Sequence, residues 1–142
     1  MSIRPAAVAG LFYAGTPRAL RRELDDALAQ ARPASLPAPP KALIVPHAGY
    51  VYSGPIAATA YRCLDAVRER VRRVVLLGPC HRVAVRGLAL PRAGAFETPL
   101  GTVPLDPHAR RALAGLPQVV LSDAAHAQEH SLEVQLPFLQ RV

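Results

Sequence analysis

The sequence contains few of the residues that mark disulfide-stapled or disordered proteins. It has only two cysteines, Cys63 and Cys80, in 142 residues, and neither lies in a CxxC pair. Two thiols are too few to staple a small secreted fold, so we expect a reducing, cytoplasmic environment and no disulfide. Only 19% of the residues are charged and 51% are hydrophobic, which excludes intrinsic disorder and supplies enough apolar surface for the core of one domain.

Unbroken apolar runs and lysine-rich tracts are also missing. The longest uncharged run lies between Lys41 and Arg62, and its prolines and glycines exclude a lipid-facing helix. The densest basic cluster is the four arginines of residues 68–73, and no aromatic residue lies among them. Because a stacking platform for bases is missing, we interpret this cluster as a solvated helix end. We expect no nucleic-acid or membrane partner in spite of the net charge of +7.

Capping residues and prolines predict the helices. Thr16, followed by proline, predicts a helix over residues 17–31, and Asp106, also followed by proline, predicts another that ends at about residue 116. Ser53 is expected to cap a third helix, which follows a glycine-rich loop. A final helix is predicted from about Glu129. The expected buried face of the third helix consists of Ile56, Ala60, Leu64 and Val67.

Short apolar runs predict the strands. Residues 42–45 and 74–77 are fully apolar, as in buried parallel strands, so with the third helix between them they predict a right-handed βαβ unit. The alternation of strands and helices indicates an open α/β sheet covered on both faces. Residues 85–90 and 95–103 are predicted to form shorter strands or a loose hairpin around Pro91, Gly94 and Gly101, and residues 119–121 a third buried strand.

Two histidines follow the two main predicted strands. His47 comes directly after residues 42–45, and His81 follows residues 74–77 after a short turn. Loops at the carboxyl ends of adjacent parallel strands converge, so we expect these two imidazoles to lie close together. Two neutral histidines with a third ligand suit iron, copper or zinc. A single loop histidine bonded to a backbone carbonyl is the alternative interpretation for each of them.

Two further motifs keep alternative interpretations. The loop of residues 48–54 leads into a helix N-terminus, which favours either an anionic group of a substrate or a tight connection that needs its glycines for the turn. His126, Glu129 and His130 match H-x-x-E-H, the pattern of inverzincin metalloproteases, although a five-residue match is a weak signal. Cys80 is a ligand, a redox-active thiol or a small buried residue.

Five blocks, in this order along the chain, resemble the MEMO family. They are RPAAVAGLFY at residues 4–13, PHAGYVYSG at 46–54, LGPCH at 77–81, ETPLG at 97–101 and EHSLEVQLPFL at 129–139. Bacterial and archaeal members of this family are usually called AmmeMemoRadiSam system protein B. The resemblance covers nearly the whole chain.

The resemblance implies a three-layer α/β/α fold with a largely parallel central sheet, similar to class III extradiol dioxygenases. Residues 1–142 then form a single domain that corresponds to the N-terminal part of the family's domain, so the sheet is expected to be incomplete. The resemblance further implies a mononuclear metal site with His47 and His81 as ligands. Iron or copper is the expected ion, and zinc is the other option.

The resemblance also places the block that begins at Glu129 in the pocket, which displaces the protease interpretation. We expect Glu129 and His130 to be catalytic residues. The residues predicted to bind substrate are Gly49, Tyr50, Tyr52, Ser53 and Ser131.

Two departures from the family pattern alter the surroundings of the expected metal. Cys80 stands where a small hydroxyl residue is more common, and Arg82 stands where a histidine is frequent. Family members continue past the position of Val142, and the resemblance implies that the third metal ligand is a cysteine in that further part. On this basis residues 1–142 alone are expected to bind metal weakly and to expose apolar surface.

The first functional hypothesis is a MEMO-like metal-binding protein, component B of an AmmeMemoRadiSam-type system. Its expected partners are a small-molecule or peptide ligand and the AMMECR1-like and radical-SAM proteins of that system. If it is an enzyme, non-haem metal-dependent oxidoreductase chemistry of the dioxygenase type is implied. The alternative is a non-catalytic module that binds a peptide or acidic ligand in the same cleft.

Overall fold

The computed structural model describes residues 2–142 and confirms the α/β class. Helices are combined with one mixed and one parallel sheet. No helix in residues 2–142 is long and apolar enough to cross a membrane. In chain order the elements are β1 (Ile3–Arg4), α1 (Pro17–Gln30), α2 (Tyr50–Arg62), β2 (Leu88–Leu90), β3 (Ala95–Thr98), β4 (Gly101–Pro104), α3 (Pro107–Ala114), β5 (Val119–Leu121), α4 (Ala124–Ala127), a 3₁₀ helix (Glu133–Gln135) and α5 (Leu136–Arg141).

The strands form two small sheets. In the first, β1 pairs parallel to β3, which pairs antiparallel to β4 as a hairpin that lies within the predicted segment 95–103 apart from its last residue, Pro104. Gly101 opens β4 with a φ of 121°, a conformation that L side chains rarely adopt. In the second sheet, β2 pairs parallel to β5. The strand predicted at 119–121 is therefore confirmed, but its expected burial is wrong, because Val120 and Leu121 are 44% and 47% exposed.

The helix starts predicted from capping residues are confirmed for α1 and α3. The Thr16 hydroxyl accepts a hydrogen bond from the Ala19 N–H at 3.3 Å, and the Asp106 carboxylate accepts from the N–H groups of His108 and Ala109. These bonds satisfy N–H groups that have no partner within the helix. His108, in the first turn of α3, is exposed.

The predicted start of α2 is wrong, and its predicted buried face is confirmed only for Val67, which is buried but lies beyond the end of the helix. The helix begins at Tyr50 with Gly49 as N-cap, so Pro55 lies inside it, and the Ser53 hydroxyl donates to the Ala48 carbonyl at 2.8 Å. Ile56 is 63% exposed. The earlier start turns a different stripe inward because Tyr50 and Tyr61 bury more surface than aliphatic residues do. The buried residues of α2 are Tyr50, Ser53, Gly54, Ala57, Ala58 and Tyr61.

The strands predicted at residues 42–45 and 74–77 are not formed, and the βαβ unit is therefore wrong for residues 2–142. Neither segment has a ladder partner, and Ile44 is fully exposed, while Leu77 is 77% exposed. An apolar run becomes a buried strand only when strands lie beside it and layers cover it. The arginines that precede residue 74 are exposed, as expected, but they lie beyond the end of α2.

The final helix does not start at Glu129. Helix α4 ends at Ala127, and the 3₁₀ helix and α5 follow only after an irregular stretch. The physical reason is local, because the Glu129 carboxylate accepts hydrogen bonds from the N–H groups of His130 and Ser131 at 2.8 and 2.9 Å. A side chain that binds the following N–H groups favours a turn over a continuing helix.

The core is built around aromatic side chains of α2 and α5. Phe138 stacks on Tyr61 and packs against Tyr50, with both ring centroids 5.0 Å away. The Tyr50 hydroxyl donates to the Val134 carbonyl at 2.7 Å, and the Tyr61 hydroxyl donates to the Gln135 side chain at 2.8 Å. Both buried phenols therefore have a hydrogen-bond partner. Burial raises the pKa of both phenols. The core therefore fixes the start of α2 against the segment that follows residue 130.

A buried ion pair joins the two ends of the chain. Arg4 on β1 pairs with Glu133, and both side chains are almost fully buried. The Glu133 carboxylate also accepts from the N–H groups of Ala7 and Val8 and from the Tyr13 hydroxyl at 2.7–3.0 Å. Arg4 additionally donates to the carbonyls of His126 and Glu129. This network ties β1 to the segment that carries Glu129.

Candidate metal centre

Three histidines from distant parts of the chain lie together. His47, His81 and His130 each offer one ring nitrogen, and these atoms all lie within 4.8 Å of one another. The rings of His81 and His130 are nearly parallel, with 4.6 Å between their centroids. The centroid of the His47 ring lies 5.3 Å from that of His81 and 5.9 Å from that of His130. The rings are partly open to solvent, so an ion and a further ligand can reach them.

Backbone and side-chain contacts hold the segments that carry the three rings. The Pro46 carbonyl, next to His47, accepts a hydrogen bond from the Gln135 side chain at 3.1 Å. Gly78 lies so close to Ser131 that a Cβ on it would stand 2.8 Å from the Ser131 hydroxyl. A residue larger than glycine would push the His81 loop away from the His130 segment.

Glu129 connects two of the three histidines. Its buried carboxylate accepts hydrogen bonds from the His81 N–H, the His81 Nδ1 at 2.9 Å, and the N–H groups of His130 and Ser131. Burial by itself raises the pKa of Glu129, but these hydrogen bonds outweigh it and lower the pKa to about 2. Glu129 is therefore an anion that accepts four protein hydrogen bonds, and it is poorly suited to carry a proton in catalysis.

The bond from His81 to Glu129 sets which nitrogen can bind a metal. A carboxylate can only accept, so the Nδ1 of His81 carries the hydrogen and its Nε2 keeps a free lone pair. A carboxylate behind a histidine fixes the ring and strengthens its remaining nitrogen as a ligand. This arrangement is typical of metal-binding histidines. It costs folding free energy, because the Glu129 carboxylate is a buried anion.

The surroundings of His130 favour its neutral form, which is the form that binds a metal. Burial lowers its pKa, the Glu129 carboxylate opposes this shift, and the neighbouring His81, His47 and Arg82 groups add to it. The Phe12 ring covers one side of His130, with 4.6 Å between the ring centroids. The neutral ring and its shielding from water both favour coordination over protonation.

The two histidines that the sequence places at strand ends do meet, although their strands are not formed. His130, predicted as a catalytic residue, joins them and supplies a third candidate donor within this chain. The implied third ligand was a cysteine outside residues 1–142, so the sequence missed this completion. The signal that could have found it is the adjacent pair of Glu129 and His130 after α4, which the sequence analysis assigned to catalysis.

The H-x-x-E-H pattern does not place its histidines on one helix face. Helix α4 ends before Glu129, and His126 does not belong to the cluster. Its Nε2 donates to the Ala89 carbonyl at 3.1 Å, and its ring packs edge-on to Phe96 at 5.8 Å. The metalloprotease interpretation is wrong for this reason, because one helical turn must carry both ligands.

Some of the predicted substrate-binding side chains are already hydrogen-bonded to the protein, and one of them is exposed to solvent. The hydroxyls of Tyr50, Ser53 and Ser131 donate to backbone carbonyls, that of Ser131 to Pro79 at 2.8 Å. Tyr52 is 82% exposed, beside the N-cap Gly49. Their role in binding substrate stays a prediction.

The first turn of α2 has few free donors for an anion. The Tyr50 N–H donates to the Phe12 carbonyl at 2.7 Å, and the N–H groups of Tyr52 and Ser53 donate to the Gly49 carbonyl. This favours the tight connection over the anion site among the two interpretations of the loop.

Both cysteines are free thiols. Cys80 is exposed beside His81, and its thiol lies 3.5 Å from the Ala125 carbonyl. Cys63 is half-buried and contacts the Thr59 carbonyl one turn earlier in α2, which fits a packing role. Neither belongs to the group of donors around His130.

We predict that the Glu129→Gln variant binds metal about 10- to 100-fold more weakly than the wild type, because His81 loses the anion that orients it. Isothermal titration with Zn²⁺ at pH 7.5 measures this. Glu69→Gln, at an exposed carboxylate outside the site, is the matched control. Equal affinities of the Glu129→Gln variant and the wild type would contradict the role of Glu129.

We also predict that the metal-free protein becomes less stable as the pH falls below about 6.5, the ordinary pKa of histidine. Burial lowers the pKa of His126, Arg4 adds to this, and the Ala89 carbonyl, Asp123 and Glu129 oppose it. The unfolded chain therefore takes up the proton more readily than the folded chain does, and stability is lost as the pH decreases. Urea unfolding at pH 7.5 and 5.5 measures the loss, and His126→Gln should reduce it. An unchanged pH dependence in that variant would assign the loss to other groups.

The fold and the site define an α/β protein with three histidines that can hold a metal ion. The Memo-like protein family matches residues 4–142, and the chain belongs to this family. It is 41% identical to a MEMO1 family protein of Methanothermobacter thermautotrophicus over 97% of this chain and 52% of that protein. It is 42% identical to a MEMO1 family protein of Aquifex aeolicus over 99% of this chain and 51% of that protein.

A MEMO1 family protein of Sulfolobus acidocaldarius is 39% identical over 97% of this chain and 52% of its own length. The chain thus spans about half the length of the curated relatives that it matches. The family predicted from the sequence blocks is confirmed.

Proposed function

We propose that this chain provides a mononuclear metal site in which His47, His81 and His130 are the ligands. The observation that supports the proposal best is the set of three imidazole nitrogens within 4.8 Å of one another. The buried Glu129 carboxylate behind His81 adds the support that metal-binding histidines usually have. An imidazole set without a carboxylate ligand suits iron, copper, nickel or zinc better than magnesium or calcium.

The resemblance to the MEMO family implies a fold similar to class III extradiol dioxygenases, which favours iron or copper and redox chemistry of the oxygenase type. A bound ion of this kind would supply a Lewis acid and an electron donor or acceptor. The residues of this chain would orient and shield it: Glu129 fixes the His81 ring, and Phe12 excludes water from one side of His130. We further propose that the protein acts as component B of an AmmeMemoRadiSam-type system, with AMMECR1-like and radical-SAM proteins as partners.

In this proposal Glu129 is a positioning residue. With its pKa lowered to about 2, it stays ionised at every physiological pH and its oxygens are already bonded to the protein. Protons of a substrate must therefore pass to other groups or to water. His130 acts as a ligand here, which replaces the catalytic role that the sequence suggested for it.

Metal analysis of the purified chain tests the proposal. We expect about one equivalent of iron, copper or zinc per chain, removed by a chelator and restored by titration with the single metal. Electron paramagnetic resonance of the Cu²⁺-loaded chain should show nitrogen hyperfine coupling from imidazole ligands. A protein that takes up no transition metal at pH 7.5, while it still binds an acidic peptide, would replace this proposal with the binding-module hypothesis.

A further inference from the structure

The solvent-exposed side of the three-histidine cluster carries an arginine. Arg82 directly follows His81 in the chain, and both residues are exposed. Burial lowers the pKa of His130, and the positive charge of Arg82 adds to this, so the guanidinium lies within electrostatic reach of that ring as well. The other sides are occupied, because Phe12 packs on His130 and the Glu129 carboxylate is bonded to His81. The open side of the cluster is therefore the side of His81 and Arg82.

Arg82 has no acidic partner among residues 2–142. It belongs to none of the ion pairs in this part of the chain. The carboxylate beside the cluster, that of Glu129, already accepts hydrogen bonds from His81, His130 and Ser131. The Arg82 guanidinium therefore keeps its N–H donors and its charge available for a ligand.

The charges around the cluster favour an anionic ligand. Imidazoles are neutral ligands, so a divalent ion that they bind keeps its full charge. The Glu129 carboxylate offsets part of this charge, and Arg82 adds positive charge on the open side. A guanidinium is also a planar fork that donates two parallel hydrogen bonds to an oxyanion. An oxyanion that reaches both the ion and Arg82 is therefore stabilised twice.

The backbone near His47 favours a carboxylate over a phosphate as this oxyanion. Phosphate sites commonly use several free N–H groups at the start of a helix, and α2 starts three residues after His47. There the N–H groups of Tyr50, Tyr52 and Ser53 already donate to backbone carbonyls. A carboxylate needs no such set of N–H groups, because its two oxygens match the guanidinium fork.

We propose that Arg82 determines the class of ligand at this site by binding the carboxylate of an organic acid that also reaches the ion held by the three histidines. The assignment rests on the proposed metal site and adds the chemistry of its substrate. Arg82 binds and orients the acid, and it takes no part in proton transfer because a guanidinium stays charged at physiological pH.

Titration of the Cu²⁺-loaded chain with benzoate tests the role of Arg82. Benzoate should change the electron paramagnetic resonance spectrum of the copper until the site is saturated. The Arg82→Gln variant should need about 10- to 100-fold more benzoate, because a charge-assisted contact with two hydrogen bonds is lost. Arg82→Lys keeps the charge without the fork, so its affinity should lie between those of the wild type and Arg82→Gln. Azide, a copper ligand without a carboxylate, should lose only a few-fold in affinity.

Arg86→Gln is the matched control, because Arg86 is an exposed arginine of the same irregular segment and also belongs to none of the ion pairs. It should bind benzoate as the wild type does. Circular dichroism should show an unchanged fold for all three variants, since they replace exposed side chains. Their copper content should equal that of the wild type, because Arg82 is not a ligand of the ion.

The copper content separates this assignment from the proposed function. If the wild type takes up no copper, the metal site fails and the assignment fails with it. If copper is bound but benzoate is not, or if Arg82→Gln binds benzoate as well as the wild type and Arg86→Gln do, only the role of Arg82 is overturned. Inorganic phosphate is titrated in parallel, and Arg82-dependent binding of phosphate without binding of benzoate would overturn the carboxylate as the ligand class.

Discussion

Replacing His81 with alanine is expected to abolish stoichiometric metal binding. The three imidazoles are the donors around this centre, and the loss of one leaves two nitrogens and an exposed gap. Loss of a hydrogen-bonding partner of a ligand already costs about 10- to 100-fold in affinity, so the loss of the ligand itself should cost more than about 100-fold. His47→Ala and His130→Ala should behave alike. Metal content and titration with Zn²⁺ or Cu²⁺ measure all three.

His108→Ala is the matched control for this series, since His108 is exposed on α3 and lies outside the cluster. The His81 side chain is 39% exposed, so its removal should leave thermal unfolding of the metal-free protein almost unchanged. If His130→Ala keeps full affinity while His47→Ala and His81→Ala lose it, the site has two ligands from this chain and the third must come from elsewhere.

Replacing Glu133 with glutamine is expected to destabilise the protein by about 3–5 kcal/mol, because the Arg4 guanidinium then stays buried without its counter-charge. That loss is a large part of the total stability of about 5–15 kcal/mol typical of a domain. In addition, the glutamine amide has only one oxygen to accept hydrogen bonds, whereas the two oxygens of Glu133 accept from the N–H groups of Ala7 and Val8. Urea unfolding followed by circular dichroism measures the change.

Asp25→Asn is the control for this experiment, because Asp25 forms an ion pair with Arg141 in which both side chains are about half exposed. An exposed pair of this kind should contribute at most about 1 kcal/mol. Combining Glu133→Gln with Arg4→Met should recover part of the lost stability, since the unpaired charge is removed as well. Equal losses for the Glu133→Gln and Asp25→Asn variants would show that the buried pair is not important for the fold.

Local signals in the sequence predicted those elements that depend on near neighbours. Thr16 and Asp106 cap their helices because a side-chain oxygen needs only N–H groups two or three residues away. For the same reason one of the two alternatives for residues 85–103 was a hairpin, and β3 and β4 form one, with four residues of each strand paired across a short turn. The family could also be predicted, since five blocks in a fixed order identify it without any knowledge of contacts.

Predictions that depended on distant partners were less successful. Residues 42–45 and 74–77 have the composition of buried strands, but composition does not state whether a neighbouring strand is available. The buried face of α2 was wrong because Phe138, far along the chain in α5, selects Tyr50 and Tyr61 as its contacts. The hydrogen bonds of Glu129 to His81 became visible only with both segments in place, and its catalytic role stays a prediction.

The sequence by itself therefore determined the family, the α/β class and two helix caps, since each depends on local patterns. It also predicted that His47 and His81 lie close together, as they do, but from parallel strands that are not formed. Only the tertiary structure decided that His130 completes the cluster and that Glu129 anchors it. The physical reason is the separation along the chain: the bond between His81 and Glu129 spans 48 residues, and the ion pair of Arg4 and Glu133 spans 129. Contacts at such distances depend on how the whole chain packs, which no local propensity encodes.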